Sequence, residues 1–195
     1  DMYDLMRASL RQRPDYIIVG EVRGRETYTM FQAMATGHTT YSTMHADSMQ
    51  SMVNRLENEP INCPRMLLTS LCNVIFQSQV RVGNDLARRM RQVIEIIGYE
   101  PDTNELISST VFEWDQANDR FVFKGHSTLI DHIMEVRDLT YKEMMAEFDR
   151  RMDVVRYMVH HDITDHRRIW EIINRYSKDP EGVAERMRNE LREEG

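Results

Sequence analysis

Long apolar runs are missing from this sequence. No stretch of about 18 apolar residues occurs, so nothing in it is suited to cross a membrane as a helix. Cysteine is scarce: Cys63 and Cys72 stand nine positions apart on one predicted helical stretch, outside any CxxC pair. That excludes a disulfide framework and a thiolate metal site, and it predicts two buried thiols in a reducing compartment. Positive charge is in deficit, with 25 basic residues against 32 acidic and a net charge of −7. A broad nucleic-acid surface needs a basic footprint and is therefore disfavoured, leaving room only for a local basic patch. The opening Asp1-Met2-Tyr3-Asp4 is neither a basic n-region nor an apolar signal segment. With no methionine at position 1, the chain reads as an excised piece of a longer protein. Internal repeats and low-complexity segments are absent too. One further absence concerns chemistry: no G-x-x-x-x-G-K-[ST] occurs, and Gly83 and Gly98 are not followed by a matching Lys-Ser/Thr. That loop supplies the N–H cradle and the lysine that hold nucleotide phosphates.

Hydrophobic residues make up 41% and charged residues 29%, the balance of an ordinary globular chain. The 15 methionines are spread through helical segments, which favours core packing over a Met-lined metal site. Met2, Leu5, Met6 and Leu10 recur at helical spacing, and Pro14 breaks the pattern. Tyr16-Ile17-Ile18-Val19 is a continuous apolar run ended by Gly20, the pattern of a strand buried on both faces of a parallel sheet. Helical spacing returns from Gly24 to Ala35, with Gly37 as its cap. His38 to His45 is rich in β-branched residues and reads as a second strand. Asp47 or Ser48 can cap the next helix, which reaches about Leu56, and Pro64 suits the first turn of another running to about Asn73.

Strand–helix–strand–helix alternation over Tyr16 to Leu56 predicts an α/β fold with a parallel sheet. Val74 to Val82 then extends as a strand. Arg91 to Tyr99, Leu106 to Trp114 and Arg120 to Phe123, separated by turn-forming residues, predict an antiparallel meander. Helical patterns fill Leu129 to Val136, Tyr141 to Val159, Asp165 to Tyr176 and Glu181 to Leu191, as in a small bundle. The expected divisions are 1–82, 83–125 and 126–195.

The first chemical signal is RQRPDYIIVGEVRG, residues 11–24. An apolar strand delivers Glu21 to its carboxyl end, the edge at which parallel α/β sheets present ligand sites. A carboxylate there can act on Mg²⁺ or orient water beside a γ-phosphate. Arg23 can place positive charge near phosphate oxygens or across a subunit joint. The same residues also fit a plain strand followed by a charged turn. The second signal is ATGHTTYSTMHAD, residues 35–47. Its histidines, His38 and His45, would stand roughly 23 Å apart on an extended strand, too far to share a metal ion. His45 falls on the same edge as Glu21, where a donor can sense a γ-phosphate; ordinary strand-end histidines are the alternative.

RQRPDYIIVGEVRGRET resembles the Walker B motif, and ATGHTTYSTMHADS the His box, of the type II/type IV secretion and pilus-assembly motor ATPase superfamily. The likeness is near-continuous over about the first 60 residues and extends more weakly through the meander to about Trp114 and loosely beyond. The RQRP lead-in, EVRG, NCPRM and GYEPDTNEL stretches are most similar to the archaeal pilus and archaellum branch. The resemblance implies a cytoplasmic hexameric ATPase with a RecA-like motor domain, using Mg²⁺ and ATP and working at an inner-membrane platform protein. It makes Glu21 the Walker B glutamate, assigns His38 and His45 to the His box, and matches Arg23 to a motif arginine. With neither the phosphate loop nor the family's Asp-box acids, this piece is expected to bind no nucleotide tightly and to be inactive by itself. A non-enzymatic oligomerisation or docking module is the alternative, and a motor acting on DNA or on type IV secretion substrates is disfavoured by the acidic balance.

Elsewhere, His160-His161-Asp162 and His166 read as an interhelical loop in which Thr164 or Asp165 caps a helix, rather than as a metal site. Arg88-Arg89-Met90-Arg91 reads as a solvated basic cluster ahead of a strand, or else as an anion or subunit contact. Glu181 to Glu194 reads as a surface helix laced with salt bridges.

Overall fold

Asp1 opens the chain by capping helix α1 (Met2–Arg11): its carboxylate accepts the Asp4 N–H, and Asp4 reciprocates. The computed structural model describes residues 1–193 and separates into two units, Asp1–Leu129 and Ile130 onward. In the first, β1 (Tyr16–Val19), α2 (Glu26–Ala35) and β2 (Thr39–Ser42) form a parallel β–α–β unit, with Tyr16 paired to Thr39 and Val19 to Ser42. Thr36 ends α2, and Gly37 follows at φ +92°, a conformation that favours glycine. Helix α3 (Met49–Glu57) starts at Ser48, whose hydroxyl accepts the Ser51 N–H.

The core of this unit gathers Met6, Ile17, Val19, Met30, Phe31, Met52, Val53, Leu56 and Leu68. Three of its members are methionines, in keeping with a packing role. Burial of β1 departs from the expectation for a two-faced strand. Ile17 and Val19 are buried, but Ile18 is 78% exposed opposite the exposed Tyr41 of β2, and Tyr16 also faces solvent. The physical reason is the sheet's extent: two strands with α2 packed on one face leave the other bare within this chain. The predicted helix after Pro64 is also shorter. It is a 3-10 turn over Arg65–Ser70, after which Leu71 is already extended and strand β3 (Asn73–Val82) begins.

Cys72 falls at that junction, in neither element, and is exposed, whereas Cys63 is buried. The expectation of two buried thiols is thus corrected for Cys72. Burial, together with nearby Glu57, pushes the Cys63 thiol up to about 11, so it holds almost no thiolate until the pH approaches that value. Iodoacetamide at pH 8 is expected to label Cys72 within minutes and to spare Cys63 until urea is added. Peptide mass spectrometry checks this, and equal labelling rates in the native chain would contradict it.

The antiparallel sheet runs β3, β4 (Asp85–Glu100), β5 (Glu105–Asp115) and β6 (Arg120–Phe123) in simple order. It therefore has one strand more than the expected three-strand meander, because β3 pairs along β4 from Asn73–Glu95 to Val82–Asp85. The Arg88–Arg91 cluster lies inside β4, not ahead of a strand. Arg89 is no solvated charge, since its Nε and Nη2 donate to the two carboxylate oxygens of Asp119, each at 2.7 Å. Trp114 Nε1 donates to the same carboxylate at 2.8 Å, and Arg89 and Trp114 together hold Asp119 down to about 2. Glu95, buried in β4, accepts from Ser127 Oγ, Thr128 Oγ1 and the Leu129 N–H at the start of α4 (Thr128–Arg137). Burial alone would raise its pKa, but these hydrogen bonds outweigh burial and keep it below the ordinary value.

In the second unit, α5 (Tyr141–His160) starts on a capping box of Thr140 and Glu143. Asp165 caps α6 (His166–Lys178) by accepting from the Arg167 and Arg168 N–H groups. Helix α7 (Pro180–Glu193) contributes Val183 and Ala184 to a small core with Val154. Asp153 accepts from Arg188 Nε at 2.7 Å beside that core. Of the predicted surface helix Glu181–Glu194, residue Glu194 lies outside the described residues. Among the described residues, no helix is long and apolar enough to cross a membrane.

Candidate functional site

Parallel pairing decides what the two motifs share. Because β1 and β2 run the same way, the segments that follow Val19 and Ser42 leave the sheet at one edge. Two cross-links hold them side by side: the Val22 N–H donates to Thr43 O at 2.9 Å, and Thr43 Oγ1 donates to Gly20 O. Glu21 and His45 consequently meet, with Glu21 Oε1 3.8 Å from His45 Nε2. Both side chains remain substantially exposed.

They border an open cleft of about 1220 Å³, with Arg23 on the Glu21 side and Asp47, Ser51 and Arg55 on the side of α3. Arg55 Nη1 donates to His45 O and fixes the backbone of that residue from the last turn of α3. Hydrogen bonds from the Ser48 and Ser51 hydroxyls hold the Asp47 carboxyl below its usual value. The cleft thus presents the guanidinium groups of Arg23 and Arg55, the imidazole of His45 and the carboxylates of Glu21, Asp47 and Glu59, a set with donors for an anion and acceptors for a nearby water.

His38 is placed elsewhere. It lies at the amino end of β2, and its Nδ1 is 3.3 Å from both Ala33 O and Thr36 Oγ1, so it fastens the end of α2. The second strand covers only Thr39–Ser42, so both histidines flank it instead of lying within it. Glu21, Arg23 and His45 share the cleft; His38 does not line it.

Two residues of this region escape a motif reading. Arg55 shows in sequence only as a basic residue near a helix end. Glu26 shows only as an acid in a first helical turn, yet it is buried and accepts the backbone N–H groups of Arg23 and Gly24, each at 2.9 Å.

The donors available to a divalent cation are few. Among the described residues, no group of three His, Cys, Asp or Glu side chains can hold a metal ion. A single strand-end carboxylate does fit the way Mg²⁺ is held with nucleotides, through one or two carboxylates, several waters and the substrate's phosphates. Glu21 is the residue that would contribute.

Comparison with known families decides the assignment. The family described as type II/IV secretion system protein matches residues 1–165. The chain belongs to this family. It is thereby a member of the secretion motor ATPase superfamily that its two motifs resemble. It is 40% identical over 155 residues to the uncharacterized protein MJ1287 of Methanocaldococcus jannaschii, covering 80% of this chain and 57% of that protein. It is 44% identical over 77 residues to the type II secretion system protein E of Dickeya dadantii, covering 39% of this chain and 15% of that one. The X-ray structure of the Legionella pneumophila ATPase DotB matches at a TM-score of 0.41 and 23% identity, over 53% of this chain and 29% of that chain. This secretion-family chain therefore spans little more than half the length of MJ1287, and far less of the secretion protein E.

Proposed function

We propose that this chain carries the hydrolytic edge of a secretion or filament-assembly motor ATPase. In the complete protein, Glu21 acts on Mg²⁺ or on the attacking water, His45 reads the γ-phosphate, and Arg23 lies within reach of phosphate oxygens. The observation that carries this reading is the meeting of Glu21 and His45 at 3.8 Å on the carboxyl edge of a parallel strand pair, beside an open cleft. When bound, Mg²⁺ would neutralise charge between the β- and γ-phosphates. His45 Nε2 can donate to a γ-oxygen when the imidazole is protonated at that atom, and Glu21 can accept the proton of a water placed between them.

The phosphate cradle itself would come from residues outside this chain, as its length relative to MJ1287 allows. The motor would act as a homo-hexamer at the cytoplasmic face of the inner membrane, docked to a platform protein. A second reading, a non-enzymatic oligomerisation or docking module, is favoured by one observation: the bare apolar face of Tyr16, Ile18 and Tyr41. Calorimetric titration of Mg-ATP separates the two. Negligible binding to the 195-residue chain, with micromolar binding to a longer protein that adds a phosphate loop, supports the motor. Tight binding by the short chain alone would require a second nucleotide site and overturn the split arrangement. No binding by either would leave the docking module.

A further inference from the structure

Two glutamates five positions apart, Glu21 and Glu26, stand on either side of the turn between β1 and α2, in opposite settings. Glu21 is exposed at the cleft, with its Oε1 3.8 Å from His45 Nε2. Glu26 is only 8% exposed and points back under the turn, where its Oε1 accepts both the Arg23 and the Gly24 N–H at 2.9 Å. Such paired donors to an ionised acceptor are strong and directional.

Gly24 completes the arrangement. A Cβ at that position would stand 2.8 Å from Glu26 Oε2, so alanine there displaces the carboxylate, the nearest group it meets. The Thr27 N–H closes the turn onto Gly24 O at 3.1 Å, and the Val22 N–H ties its other end to Thr43, just after β2. The Arg23 guanidinium, by contrast, is exposed, lines the cleft and forms no ion pair among the described residues.

We infer that Glu26 is a positioning residue, whose carboxylate, seated against Gly24, locks the turn so that Glu21 and Arg23 are presented together to the phosphoryl group. This rests on the motor reading above. Burial pushes the Glu26 carboxyl up, yet the backbone donors of Arg23 and Gly24 and the charge of Arg23 leave it below its ordinary value. It therefore stays an ionised acceptor at neutral pH, when the turn must be held. Glu26 is not placed to serve as the base, since Oε1 is committed to two donors and the residue does not line the cleft.

The test uses the full-length ATPase and measures kcat, KM for Mg-ATP and the thermal midpoint for each variant. Glu26→Ala is expected to lower kcat about 10- to 100-fold with KM changed less than about threefold, as for a misplacement of roughly 1 Å. Glu26→Gln, which keeps an oxygen for both N–H groups, is expected to recover to within about fivefold of the parent. Gly24→Ala is expected to act in the same direction as Glu26→Ala, and it carries the test if Glu26→Ala does not fold.

The decisive comparison adds Arg23→Ala. If Glu26 acts through the presentation of Arg23 and its neighbour, then removing Glu26 from the Arg23→Ala protein costs clearly less than it does from the parent. Equal losses in both backgrounds, or a loss matched only by a fall in thermal midpoint, overturn the inference. Unchanged kcat in both Glu26→Ala and Gly24→Ala also overturns it. Failure of the motor reading looks different: the parent shows no hydrolysis, or Glu21→Gln hydrolyses as fast as the parent.

Discussion

Glu21→Gln in the complete ATPase is expected to lower kcat by about 100-fold or more while leaving Mg-ATP binding within a few-fold of the parent. General acid–base and water-orienting groups contribute about 10²–10⁴ to rate, and glutamine keeps the shape of glutamate without its basicity. Several features of this structure make Glu21 the residue on which the effect falls. It leaves the strand at the carboxyl edge, its carboxylate is half-exposed at the cleft, and His45 Nε2 stands 3.8 Å away. Unlike Glu26, it is not committed to backbone donors. Steady-state hydrolysis measured beside equilibrium nucleotide binding separates chemistry from binding. A variant that binds normally and turns over normally would remove Glu21 from the reaction. A variant that loses binding to the same degree as turnover would make its role that of a ligand anchor.

Phe31→Ala is expected to cost about 3–5 kcal/mol of folding stability, the range for removing a buried aromatic side chain and leaving a cavity. Phe31 is 2% exposed and belongs to the first unit's core with Leu56, Leu68 and Met30. Its carbonyl also accepts from Ser70 Oγ at 3.4 Å, which ties α2 to the 3-10 turn. Urea unfolding of the 195-residue chain measures the loss, and Ile18→Ala is the comparison. Ile18 belongs to the same apolar run as Ile17 yet is 78% exposed, so truncating it is expected to change stability by about 0.5 kcal/mol or less. A large loss at Ile18 in the isolated chain would mean that the bare sheet face is covered there by a second copy, and a concentration-dependent midpoint would accompany it.

Much of the local structure follows from residue order. The helix over Met2–Arg11, the strand over Tyr16–Val19 and the short strand over Arg120–Phe123 coincide with their sequence patterns, because apolar spacing and breakers such as Pro14 act over a few residues. Capping is as local: Ser48 and Asp165 serve because a side-chain oxygen reaches N–H groups two or three positions along. Burial is not local. The apolar run of β1 reads as buried on both faces, and only the number of strands actually paired beside it determines that Ile18 faces solvent. Cys63 and Cys72 read alike until one falls inside the core and the other at a junction.

The candidate site divides in the same way. Sequence by itself determined that a carboxylate and an imidazole each follow an apolar or β-branched strand, and that no phosphate loop accompanies them, since composition and motif spacing are properties of the chain alone. Tertiary structure decided that Glu21 and His45 meet, that His38 stays with the end of α2, and that Arg55 and Glu26 support the two cleft segments. Parallel pairing brings together residues 24 positions apart, and a hydrogen bond depends on the direction in which a side chain leaves the folded backbone. Neither quantity is carried by the identity of a residue or of its sequence neighbours.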